Sequence, residues 1–131
     1  MAASEQPLRA GSPTQQRGRQ AEDRALALLL AAGHRLLTRN FHGRRGEIDL
    51  ITLHRRQLVF TEVRQRCSIR QGGGAASVTP GKQRRLIATA LYFLSRHPEL
   101  QSSVMRFDVI VCNGPAASGR LDWLQAAFFA H

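Results

Sequence analysis

Apolar residues return at helical spacing near the start of the chain. Ala21, Ala25, Leu28, Leu29 and Ala32 fall at i, i+4, i+7, i+8 and i+11, one stripe of a helix that runs from Arg17 to Ala32. Gly33 is placed to end it. The stripe needs a sheet to pack against. The period then changes to two. A short strand is expected over Arg35–Thr38, then a basic, glycine-punctuated loop from Asn40 to Gly46. Glu47–Leu53 and Leu58–Arg64 read as two strands joined through His54-Arg55-Arg56-Gln57, a hairpin. Cys67–Val78 holds three consecutive glycines and reads as a loop.

Helical spacing then resumes. Thr79-Pro80 is an N-cap followed by a first-turn proline, and a helix to about His97 carries Leu86, Ala90, Phe93 and Leu94 on its inner face. Pro98 lies beyond its end. Met105–Cys112 is a Val- and Ile-rich strand, Arg120–Leu124 a last short one, and Phe128-Phe129 is expected to pack back on the core. The order α-β-β-β-α-β-β predicts an α/β fold, a mixed sheet flanked by helices. Residues 1–16 are small, polar and Pro/Gly-containing and read as a disordered lead-in, leaving residues 17–131 as a single domain.

The hairpin carries the candidate chemistry. Side chains alternate faces along a strand, so Asp49 shares a face with Glu47, Ile51 and Leu53, and Glu62 shares one with Leu58, Phe60 and Arg64. Pairing Leu53 with Leu58 places Ile51 opposite Phe60, Asp49 opposite Glu62, and Glu47 opposite Arg64, with facing Cβ atoms ~5 Å apart. The other face holds Ile48, Leu50, Thr52, Val59, Thr61 and Val63, so both strands are central and covered on both sides. Two facing, partly buried carboxylates repel. A shared proton, an arginine or a cation relieves the repulsion. Two readings stay open at this point: an ion-paired patch balanced by Arg64 and Arg66, or a cation site whose oxygen ligands suit Mg²⁺ or Mn²⁺ better than zinc.

Charge adds a partner. The chain has 131 residues, 19 Lys+Arg against 9 Asp+Glu, and a net charge of +10, so it attracts polyanions. All but Lys82 of the basic residues are arginine, which grips phosphate in a bidentate fork. Arg44 and Arg45 before the acidic strand, and Lys82, Gln83 and Arg84 at a helix N-terminus, are the candidate nucleic-acid contacts. Two distant cysteines give neither a disulfide framework nor a zinc site and suit a reducing compartment. With no apolar run long enough to span a bilayer, the expected location is the cytoplasm and no membrane partner is expected. The five histidines lack any zinc-binding spacing. Trp123 and Tyr92 are too few and too far apart in sequence to suggest a base-stacking platform.

G-x-x-A-E at Gly18–Glu22, G-E-I-D-L-I at Gly46–Ile51, V-F-x-E-V-R at Val59–Arg64 and R-F-D-V at Arg106–Val109 resemble the YraN family of uncharacterised bacterial proteins. The resemblance runs from about Gly18 to Asp108 and implies a restriction-endonuclease-like fold close to Holliday-junction resolvases. It further implies a divalent-metal-dependent nuclease, with Mg²⁺ or Mn²⁺ as cofactor, hydrolysing phosphodiester bonds in DNA rather than RNA, structured or branched DNA included. Carried over, Asp49 and Glu62 are metal ligands, Val63 lends a backbone carbonyl, and Glu22 is the carboxylate from the first helix. Arg64 occupies the usual lysine position. Arginine does not readily give up a proton, so Arg64 is left to stabilise charge on the scissile phosphate and water activation falls to the metal. A homodimer follows by analogy with junction cutters. Asp108 reads as structural, paired with an arginine. Two other function classes are carried: a non-catalytic nucleic-acid-binding protein on a nuclease-like scaffold, and a basic adaptor for an acidic protein.

Overall fold

The computed structural model describes residues 13–66 and 78–130, with side chains from Gly18 onward. Residues 1–12 of the expected lead-in and 67–77 of the expected glycine-rich loop lie outside them. The elements run α1 (Pro13–Ala31), β1 (Arg35–His42), β2 (Glu47–His54), β3 (Gln57–Arg66), α2 (Pro80–Ser95), a 3-10 turn (Pro98–Leu100), β4 (Val104–Asn113) and β5 (Arg120–Phe128). This is the α-β-β-β-α-β-β order anticipated from periodicity.

The five strands form one sheet in the order β1-β2-β3-β4-β5. Only β3 and β4 are parallel; the other neighbours are antiparallel. A parallel pair needs a crossover, and α2 lies within it. It covers one face through Leu86, Ala90 and Phe93, packed with Ile51, Leu58, Phe60 and Phe107. The opposite face is covered by α1, whose Ala25 and Leu29 meet Leu50 and Ile110. Both central strands are thus buried on two sides, as their double apolar pattern requires.

The differences from the expected pattern have local causes. Helix α1 buries Ala21, Ala25 and Leu29, but Ala32 lies past its end and is exposed. Strand β1 extends four residues further than Thr38, through a polar stretch without strict alternation. A register shift between Leu36 and Thr38 and a left-handed Asn40 (φ 51°) break the two-residue period there. Across from Asn40 the same irregularity reaches β2. Ile48 belongs with Ile51 in the α2-side core, whereas Leu50 goes to the α1 side, so the expected grouping of Ile48 with Leu50 on one face is corrected. The change of face falls at Asp49. At the far end, Phe128 stacks on Phe107 at 4.9 Å, while Phe129 is exposed and does not pack on the core. Among the described residues, no helix is long and apolar enough to cross a membrane.

Candidate active site

The β2–β3 hairpin has the anticipated register. Leu53 pairs with Leu58, Thr52 with Val59, Ile51 with Phe60 and Leu50 with Thr61. The backbone ladder stops there, one step short of Asp49 and Glu62. The Asp49 carboxylate replaces the missing partner: its Oδ2 accepts a hydrogen bond from the Val63 amide at 2.8 Å. Asp49, Glu62 and Val63 line one cleft with Gly46, Glu47, Lys82, Arg85 and Leu86. The cleft opens where the two strands part, below the N-terminus of α2.

Burial pushes the Asp49 carboxyl up to about 8, and the neighbouring Glu62 charge adds to the rise. The Val63 amide opposes it, and the more distant charges of Glu22 and Glu47 contribute in the upward direction. Asp49 therefore holds a proton at neutral pH unless a cation takes its place. Glu62 is buried too, and Lys82 reaches it from α2 with Nζ 2.6 Å from Oε2.

Thr79 fixes Lys82 in this position. Its hydroxyl accepts from the Lys82 amide at 3.2 Å, which sets Lys82 at the third helical position. A cation in the first turn opposes the helix dipole, and the Glu62 carboxylate offsets that cost. Val78, just before the cap, is buried and anchors the helix start.

The remaining predicted residues distribute as follows. Glu22 accepts from Arg39 at 2.9 Å and from Asn40 at 3.2 Å, so its charge reaches Asp49 while its oxygen is held by an arginine outside the cleft. Arg64 is half-buried, two residues beyond Glu62, and is not part of the cleft wall. Gln83 donates its side-chain amide to the Val78 carbonyl at 2.9 Å and braces the helix start. Arg84 is exposed. Arg44 and Arg45 line a neighbouring hollow with Ala88, Thr89 and Tyr92. From the sequence, Arg85 is expected only as one of the basic side chains at the helix start that could grip a phosphate, and Lys82 is assigned to phosphate rather than to Glu62. The cap signal at Thr79-Pro80 locates the first turn, but nothing in the chain order tells which strand end that turn abuts.

Asp108 is fully buried and accepts from Arg106 at 2.8 and 2.9 Å, from the Trp123 indole at 2.9 Å and from the Ala126 amide at 3.0 Å. It is a structural group, as anticipated.

Comparison with known sequences places the motifs in a family. The model of uncharacterised protein family UPF0102 matches residues 21–112, which span the acidic hairpin, the α2 lysine and the buried aspartate. The chain belongs to family UPF0102. A UPF0102 protein of Cupriavidus pinatubonensis is 50% identical over 118 residues, covering 89% of this chain and 88% of the relative. One from Alcanivorax borkumensis is 48% identical over 114 residues, covering 86% and 91%. One from Dechloromonas aromatica is 42% identical over 123 residues, covering 94% and 97%. UPF0102 relatives thus match this chain over nearly their whole length, and the family's description names no activity.

Proposed function

We propose that the chain is a divalent-metal-dependent nuclease that hydrolyses phosphodiester bonds in DNA, structured or branched forms included. The observation that carries this reading is the convergence of Asp49 and Glu62 in one cleft, with a lysine delivered to them from α2. Among the described residues no three acidic, histidine or cysteine side chains gather as a metal-binding group. Two carboxylates are nevertheless the usual protein share for Mg²⁺, which keeps water and substrate phosphate oxygens as its other ligands. The raised Asp49 carboxyl is what a cation between the two acids would relieve. Asp49 and Glu62 would hold the ion, with the Val63 carbonyl beside them. When bound, it supplies Lewis-acid stabilisation of the phosphate and eases deprotonation of water.

The chain's own groups then have defined work. Asp49 and Glu62 would orient the reacting phosphate only through the ion they hold. Water adds to phosphorus, one P–O ester bond breaks, one proton leaves the water and one reaches the departing oxygen. Lys82 takes the role that the resemblance assigns to position 64, because its ammonium can give up a proton to the departing oxygen where the Arg64 guanidinium cannot. Arg85, at the cleft wall, faces the charge that builds on the phosphate.

A cleavage panel of linear, single-stranded, flap and four-way DNA, with RNA, in Mn²⁺ tests this. Asp49→Asn and Glu62→Gln are expected to abolish cutting and leave binding intact or stronger. Lys82→Ala should cut at least a hundredfold more slowly, in line with loss of a general acid–base group. If no form is ever cut while binding stays salt-sensitive, the non-catalytic scaffold takes the place of this reading.

A further inference from the structure

Lys82, Arg85, Thr89 and Tyr92 recur along α2 at spacings of three and four, one continuous stripe of the helix. Its start lies in the acid cleft, with Lys82 and Arg85. Its end lies in a second hollow of about 410 Å³, with Thr89 and Tyr92 on one side and Arg44 and Arg45 on the other. The β1–β2 loop, Gly43-Arg44-Arg45-Gly46, lies between the two hollows. A Cβ built on Gly43 would lie 3.2 Å from Thr89 Cγ2, and one on Gly46 3.8 Å from Arg85 Cβ. The loop thus rests directly on the helix over the buried Thr89, so the track that joins the two hollows runs over the loop and its two arginines. From Lys82 to Tyr92 the helix rises roughly 15 Å.

The far hollow has a definite chemistry. Tyr92 is 43% exposed, with its ring leaning on Phe41 at 5.9 Å between centroids. Arg96 lies over its ring at 5.7 Å from the centroid. Arg44 and Arg45 are exposed, and neither takes part in an ion pair among the described residues. Uncompensated guanidinium groups suit a phosphate backbone. An exposed aromatic ring beside a guanidinium suits the flat face of a nucleobase. A base inside a duplex has both faces stacked already and gives such a ring nothing to hold.

We propose that this track binds an unpaired nucleic-acid strand: Arg44 and Arg45 hold its backbone, Tyr92 stacks one of its bases, and the strand continues into the acid cleft. The inference rests on the nuclease reading only for the direction of the strand, and it names the substrate class as one with a single-stranded part. Blunt duplex, by contrast, would touch the arginines alone.

The chain has a single tyrosine, so ¹³C-labelled tyrosine gives one reporter at the right place. The full chain is titrated in EDTA with a short single-stranded oligodeoxyadenylate and, separately, with a blunt duplex. The ring signals are expected to move upfield with the single strand and stay in place with the duplex. In parallel, Tyr92→Ala should weaken single-strand binding roughly tenfold and leave duplex binding unchanged, with Tyr92→Phe near wild type. Equal ring shifts with both ligands, or undiminished single-strand affinity in Tyr92→Ala, would overturn the proposal. No cutting is needed for either readout. Ring shifts without cleavage of any DNA would leave the track standing and sink the nuclease reading; Asp49-dependent cleavage without ring shifts would do the reverse.

Discussion

A half-buried carboxyl pushed far above its ordinary range is the clearest single-residue feature of the molecule. Asp49 in the folded chain titrates near 8, against about 3.9 when unfolded. Between those values the folded state binds the extra proton. Stability therefore falls as pH rises through that window and levels off above it, at up to about 1 kcal/mol per pH unit. Asp49→Asn has no proton to lose, so its stability should stay flat over the same range. Urea denaturation in EDTA at a series of pH values checks this; parallel profiles for the two proteins would refute the assignment. The acid pair was legible in sequence because alternation and hairpin register are both short-range properties. The role of Lys82 was not, because its partner lies 20 residues back in the chain, on a strand end that only tertiary packing selects.

At the scale of elements, periodicity located both α-helices and all five strands of the described residues but not the 3-10 turn at Pro98–Leu100, and α1 begins at Pro13, inside the expected lead-in; the misjudged strand ends are those where the backbone breaks its period. Strand β1 reads as ending at Thr38 because Arg39 and Asn40 are polar and break the alternation, yet it passes a left-handed Asn40 and pairs with β2 as far as His42. Strand β5 reads as short for a similar reason. The β4–β5 register shifts between Phe107 and Val109, and Ala126 takes φ 52° so that its amide reaches Asp108. Asp108 thereby fastens the two strands at their irregular step, while Arg106 neutralises it from within β4. Asp108→Ala would leave the half-buried Arg106 with Gln57 but without its carboxylate, and the loss should be about 3–5 kcal/mol of unfolding free energy. Chemical denaturation monitored through Trp123, whose indole donates to Asp108, reads this directly. A loss below about 1 kcal/mol would contradict the structural role.

At the scale of the whole molecule, a strongly basic chain gathers Glu47, Asp49 and Glu62 in one cleft with Lys82 and Arg85. The net charge of +10 is legible from composition, but its distribution is not. Folding brings Arg44 and Arg45 from the β1–β2 loop beside Ala88, Thr89 and Tyr92 of α2, more than 40 positions on in the sequence. Binding to nucleic acid should weaken steeply with salt as bound counterions are released. Replacing Arg44 and Arg45 by glutamine should reduce the slope of log affinity against log salt by about two, one for each lost phosphate contact. An unchanged slope, measured by anisotropy over a salt series, would move the backbone contacts elsewhere.

Calorimetric titration with Mn²⁺ at neutral pH, in two buffers of different ionisation enthalpy, goes straight to the shared-ion geometry. The wild-type chain is expected to bind the ion and release close to one proton as it does so, the proton Asp49 otherwise holds. Asp49→Asn and Glu62→Gln should each lose the binding. Undiminished Mn²⁺ affinity in both variants would contradict the account.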